Sequence, residues 1–140
     1  MKRGMASQVE VARSRKVLIV DDDEDQLFIL QTLLEECDSN LEVVSVRSVH
    51  DVAKVVSRSG IACIVADVMM PYGGGVALLQ ELRKSHKELP IIMTSAGRGD
   101  LEGELIAHGA TGFFPKYDSE NSLIRAVKNL ISSSENGKSD

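Results

Sequence analysis

At 140 residues, 43% of them hydrophobic and 26% charged, the chain is long enough for one domain with a proper core and too short for two ordinary ones. Sixteen Lys and Arg against 21 Asp and Glu give a net charge of -5, which argues against direct nucleic-acid binding, because a phosphate-tracking surface needs a basic stripe. No apolar stretch approaches the ~20 residues that span a bilayer, the basic N-terminus lacks the apolar segment of a signal peptide, and Cys37 and Cys63 form neither a disulfide framework nor a metal spacing. A cytoplasmic chain without membrane insertion is expected.

Residues 1–15 are polar with scattered small side chains and read as a flexible N-terminal arm. KVLIV (16–20) is the first strand-like run. From Glu24 to Cys37, Leu27, Leu30, Leu33 and Leu34 share one helical face. LEVVSV (41–46) follows as a strand, and then Ser48 with Asp51 resembles a capping box for a helix carrying Val52, Val55 and Val56. IACIVA (61–66) is strand-like, and a helix is predicted from about Val76 to Lys84 with Leu78, Leu79 and Leu82 on one side. PIIMTS (90–95) is the fourth strand; a helix from about Asp100 to His108 ends at Gly109, a natural C-cap. TGFF (111–114) is the fifth strand. A last helix is predicted from about Ser119 to Ser132, bearing Leu123, Ala126, Val127, Leu130 and Ile131. Residues 133–140 are polar and aperiodic, a flexible tail, so the expected folded domain is 16–132.

Strand and helix thus alternate about five times, which predicts an α/β fold with a parallel sheet and helices on both faces. Near-continuous apolar runs fit strands buried on both sides. Open parallel sheets place their sites at the carboxyl ends of the strands. Asp21 and Asp22 follow the first run, Asp67 the third, Ser95 ends the fourth and Lys116 follows the fifth, whereas VRSVH after the second offers no comparable group. Asp21, Asp22 and Asp67 form an all-oxygen set suited to Mg²⁺. Asp23, Glu24 and Asp25 instead read as the start of the first helix, where negative charge complements the macrodipole.

The pieces VLIVDDD, IVADVMMPYGGGVALLQELR, LPIIMTSA and AHGATGFFPK, in that order over residues 16–131, resemble the receiver domain of response regulators in two-component signalling. The resemblance is to a single-domain, chemotaxis-regulator-like form with no attached output domain. It implies a doubly wound five-stranded parallel sheet of flavodoxin-like order 2-1-3-4-5. It implies that Asp67 is the phosphoacceptor, that Asp21, Asp22, Asp67 and the backbone carbonyl of Met69 hold Mg²⁺, and that Lys116 contacts the phosphoryl group. Ser95 takes the place of the switch hydroxyl and Phe113 that of the switch aromatic. The implied phosphodonor is a histidine kinase or phosphotransfer protein, and the implied output is a downstream protein bound through the fourth helix, fifth strand and fifth helix. Such a domain is not an enzyme in the ordinary sense, since it catalyses only its own phosphorylation and dephosphorylation. A phosphate sink or relay, and a pseudo-receiver that only binds, are the alternatives; intact Asp21, Asp22, Asp67, Ser95 and Lys116 count against the last.

The sequence departs from the family at three places. Tyr117 follows Lys116 where a proline, often cis, is usual, and a cis bond before a non-proline costs ~3 kcal/mol. Phe113 lacks the hydroxyl of the common tyrosine, and Gly97 offers no side chain to steer a water. Other motifs fail. DDDED would need Gly at the sixth and Glu at the twelfth position for a calcium loop, and Gln26 and Thr32 stand there. The same string resembles the D-x-D of haloacid-dehalogenase-like phosphatases, with Asp21 as nucleophile, but Asp25 replaces the usual Thr or Val and no later acidic pair follows. GRGDLEG has its third glycine one residue late for a dinucleotide loop, and GGG at 73–75 has no following Lys-Ser or Lys-Thr. His50, His86 and His108 share no ligand spacing.

Overall fold

Val17 and Ile19 face one way from the first strand and Leu18 and Val20 the other, and none is more than 2% exposed. A strand buried on both faces must lie inside a two-sided sheet. In the computed structural model, which describes residues 15–58, 60–70, 74–96, 99–116, 118 and 120–136, it does. The elements run β1 (Lys16–Val20), α1 (Glu24–Cys37), β2 (Glu42–Val46), α2 (Val49–Arg58), β3 (Ile61–Asp67), α3 (Gly74–Arg83), β4 (Ile91–Ser95), a 3₁₀ turn (Gly99–Leu101), α4 (Glu102–Ala107), β5 (Gly112–Pro115) and α5 (Ser122–Asn136). The strands are all parallel in the order β2-β1-β3-β4-β5, the order implied by the resemblance. The direction of winding reverses between β1 and β3.

Alternation along each strand builds two cores. Leu18, Val20, Ile64, Ala66, Ile91 and Met93 pack with Val52 of α2, Leu78, Leu79 and Leu82 of α3, and Leu105 of α4. Val17, Ile19, Cys63, Val65 and Ile92 pack with Leu27 and Leu34 of α1 and Leu123, Val127 and Ile131 of α5. Cys63 is fully buried there, and burial pushes its thiol up to about 12. It is a small core residue.

Helix ends differ from the sequence expectations for identifiable reasons. α1 starts where expected, with the Asp23 carboxylate accepting from the N–H groups of Asp25 and Gln26 at 2.9 and 3.4 Å. Ser48 does cap α2, but its Oγ accepts from His50 N at 3.1 Å, and Asp51 N donates to the Ser48 carbonyl at 3.1 Å; this is not the reciprocal box. α4 is shorter than expected. Its first turn is 3₁₀ and no side chain caps Leu101, while Gly99 and Gly103 weaken a helix here. Its far end is well made: Gly109, at φ 108°, donates to Ile106 O and Ala110 donates to Leu105 O, both at 3.0 Å, the paired bonds of a Schellman motif. α5 begins at Ser122 rather than Ser119 because Asn121 sits at φ 53° and Asp118 caps Ser122 N at 3.0 Å. It continues to Asn136 rather than Ser132; Gly137 is the first helix-breaking residue after Ser132. The expectations for residues 1–14, for 137–140 and for the geometry at Tyr117 and Gly97 lie outside the described residues.

Candidate functional site

The backbone ladder delivers the charged residues to one rim. β1 ends at Val20, so Asp21 is the first residue past it, and its N–H donates to Val46 O of β2 at 3.2 Å. Asp67 closes β3, and Val68 N donates to Thr94 O of β4 at 2.9 Å. Lys116 follows β5, and its N–H donates to Ser95 O at the end of β4 at 3.0 Å. Each side chain therefore projects from the carboxyl edge at the reversal of strand order, where ligand sites lie in such sheets.

Lys116 Nζ bridges two carboxylates, at 2.6 Å from Asp21 Oδ2 and 3.2 Å from Asp67 Oδ2. The other oxygens accept from backbone: Asp23 N donates to Asp21 Oδ1 at 3.0 Å, and Met69 N donates to Asp67 Oδ1 at 3.1 Å. Asp21 and Asp67 are 6% and 7% exposed, whereas Asp22 is exposed. Burial pushes the Asp67 carboxyl up; the Met69 N–H and the Lys116 charge oppose this, Asp21 adds to it, and the balance is upward. Burial works to lower the Lys116 pKa, but the hydrogen bond to Asp21 and the charges of Asp67 and Asp21 outweigh it, so the ammonium is held above its ordinary range.

Oxygen atoms of Asp21, Asp22 and Asp67 lie within 4.8 Å of one another. Three carboxylates against one ammonium leave a surplus of negative charge, and hard oxygens in that number fit a small divalent cation. Ser95 is 2% exposed and is coupled to Lys116 through the backbone. Phe113 stands apart from the charged rim. It is half-buried against the core beneath α4, one strand over from Met93 in register. Met69 contributes its N–H to Asp67, and its side chain is 59% exposed.

A family model described as the response regulator receiver domain matches residues 17–128. The chain belongs to this family. It is therefore a receiver domain of two-component signalling. This receiver domain is 32% identical over 118 residues to the response regulator protein TodT of Pseudomonas putida, covering 83% of this chain and 51% of TodT. It is 30% identical over 119 residues to the transcriptional regulatory protein CpxR of Klebsiella pneumoniae, covering 83% of this chain and 49% of CpxR. The chain thus spans about half the length of these curated relatives. Among solved structures, the Francisella response regulator 1452 receiver domain is similar at a TM-score of 0.75 and 28% identity, covering 85% of this chain and 98% of that one. Among the described residues, no helix is long and apolar enough to cross a membrane.

Two features of the receiver domain escaped the sequence reading. The second strand does bring a charged group to the rim. Arg47, one residue past β2, donates from Nη2 to the Asp22 carbonyl at 3.4 Å and lies 4.0 Å from Glu24. VRSVH gave no sign of this because the guanidinium reaches the site over its long stem, not by its place in the ladder. The glycines at 74 and 75, rejected as a phosphate loop, serve a packing need. Gly75 N donates to Val68 O at 2.9 Å, and a Cβ on Gly75 would sit 2.3 Å from Met93 Cε and 3.0 Å from Val68 Cα. The helix packs this closely against the residues that immediately follow Asp67.

Proposed function

We propose that Asp67 is the phosphoacceptor, receiving a phosphoryl group from the phosphohistidine of a histidine kinase or phosphotransfer protein. The observation that carries this is Lys116, whose ammonium bridges Asp21 and Asp67 at the carboxyl ends of β1 and β3. One Asp67 carboxylate oxygen attacks phosphorus, the bond from phosphorus to the donor imidazole nitrogen breaks, and an acyl phosphate forms. Asp21, Asp22, Asp67 and the Met69 backbone carbonyl are the residues to hold Mg²⁺, which when bound neutralises charge on the transferring phosphoryl oxygens. Lys116 supplies a fixed positive charge on the opposite side, and its bond to Asp21 keeps it aimed while Asp67 changes partners. Met69 N–H holds one Asp67 oxygen, leaving the other to react. Ser95 then donates its hydroxyl to the new phosphoryl oxygens, and Phe113 responds to its movement. The reading also takes residues 16–132 as the receiver unit, the α4–β5–α5 face as the output surface for a downstream protein, and the cytoplasm as the compartment.

Incubation with a small phosphodonor and Mg²⁺ tests this. Intact mass is expected to rise by one phosphoryl group, as an acid-stable, base-labile adduct mapping to Asp67, and Asp67→Asn is expected to abolish it. Label that persists in Asp67→Asn, or that maps to Asp21, overturns the assignment.

A further inference from the structure

Two hydroxyls end β4, and they serve opposite faces of the sheet. Ser95 follows Met93 on the α3–α4 side, while Thr94 follows Ile92 on the α1–α5 side. Thr94 is 2% exposed, and its Oγ1 has no hydrogen-bonding partner among the described residues. Buried hydroxyls are nearly always satisfied, and a valine would fill the same space with nothing to satisfy. Thr94 lines a cavity of ≈ 20 Å³ between the sheet, α1 and α5, whose other polar lining comes from Asp21, Gln26 and Lys116 and whose remainder is apolar, including Leu27 and Leu30. That volume is enough to hold a water, and the site offers the two to four polar partners that a buried water needs.

Donor accounting points the same way. An ammonium carries three hydrogens, and Lys116 directs Nζ to Asp21 Oδ2 and Asp67 Oδ2, which leaves one. Lys116 lines the cavity that Thr94 lines. We propose that Thr94 anchors a single buried water behind Lys116, that this water accepts the third Nζ hydrogen, and that Thr94 is thereby a positioning residue for the lysine. The water donates to Thr94 Oγ1 and to the Asp21 carboxylate, so Thr94 Oγ1, Asp21 and the third Lys116 hydrogen each gain a partner. The device fixes the ammonium from the side opposite Asp67, and it operates whether or not Asp67 is phosphorylated.

The test uses ¹⁵N-labelled full chain without phosphodonor, so it is independent of the phosphoacceptor reading. Water-to-protein cross-peaks at the position-94 backbone amide and hydrogen exchange at Lys116 Nζ are compared in wild type, Thr94→Val and Thr94→Ser. A long-lived water cross-peak is expected in wild type. In Thr94→Val it is expected to vanish while Nζ exchange quickens about two- to tenfold, the ratio that one net hydrogen bond corresponds to; Thr94→Ser restores both. A purely structural hydroxyl would shift the melting temperature and leave Nζ exchange alone, and that result overturns the proposal. So does a wild type with no cross-peak, a reading that stands even where Thr94→Val does not fold.

Discussion

Asp67 carries its charge at a cost. Its carboxyl is buried, Asp21 is close by, and the Met69 N–H and Lys116 do not fully offset these, so its pKa is raised in the folded chain. In the window from the ordinary carboxylate value of about 4 up to the folded value, the native state binds more protons than the unfolded state, so stability falls as pH rises. At neutral pH the ionised Asp67 is therefore destabilising. Lys116 works in the other direction: its pKa is raised, so its contribution is present at all pH values below the ordinary lysine range and is lost only as pH climbs through the folded value. Asp67→Asn keeps the shorter Lys116–Asp21 bond of 2.6 Å and removes the like charge. In chelator, it is expected to melt higher than wild type at pH 7, with the gap closing as pH falls through the raised folded value and gone by about 4. A lower melting temperature at pH 7 would show that the Lys116–Asp67 attraction dominates instead. The same side chains show what single residues disclose. Asp21, Asp67 and Lys116 were legible because each follows a recognisable apolar run. Thr94 and Arg47 were not, since one needs knowledge of what faces a cavity and the other of where a long side chain ends.

Element boundaries follow from caps and close approaches, which a period of apolar residues does not encode. The hydrophobic pattern located the five strands and five helices found among the described residues, yet it started α3 at Val76, two residues after its start at Gly74. The reason is the contact of Gly74 and Gly75 with the backbone of Val68. Gly74 has φ 67°, and a Cβ there would meet Val68 O at 2.8 Å. Gly74→Ala faces both a left-handed backbone and a fixed carbonyl, whereas the nearest clash of Gly75→Ala is with the flexible end of Met93. Each is expected to destabilise by about 1–3 kcal/mol, with Gly74→Ala the worse; denaturant midpoints equal to wild type would remove this account of the GGG stretch. Arg83 plays a comparable part at the other end of α3. Its Nε donates to Gly109 O at 2.9 Å and its Nη1 to His86 O and Leu89 O at 2.7 and 2.8 Å. One side chain thus ties α3 to the turn after α4, and Gly109 leaves the room it needs, since a Cβ there would lie 2.9 Å from Arg83 Cγ. α4 is consequently pinned at its C-terminal end, while its N-terminal end has no side-chain cap.

Across the whole receiver domain, a sheet with a core on each face carries an excess of negative charge at one edge. Mg²⁺ is expected to stabilise the fold by RT ln(1 + [L]/Kd), about 2.7 kcal/mol at a hundredfold excess over Kd. Thermal melts at matched ionic strength should show this for wild type and only weakly for Asp22→Ala; equal shifts in both would place the cation elsewhere. The longer-range consequence runs through β4 and β5. Register pairs Met93 with Phe113 and Ser95 with Pro115, so Ser95 and Phe113 serve the same face, the one under α4. A phosphoryl group at Asp67 brings about −1.5 to −2 charges and strong acceptors, which are expected to draw the Ser95 hydroxyl inward. Movement of Ser95 is expected to open space beside β4, into which the half-buried Phe113 ring is expected to turn. Without a hydroxyl, Phe113 has no side-chain hydrogen bond to lock either position, so a small energy gap between them is expected. The active arrangement is therefore expected at about 0.1–10% in the free protein, with phosphorylation shifting that population. The uncapped start of α4 is expected to give way while the Arg83-held end stays. NMR of the free protein, and of the protein with beryllofluoride and Mg²⁺, reads this directly. Resonances of Phe113 and of residues 101–109 should move along a line between two states, and Ser95→Ala should shorten the excursion. Signals that stay in place there while Asp67 and its neighbours shift would leave the phosphoryl group bound and the output face unchanged, and this route from site to surface would be wrong.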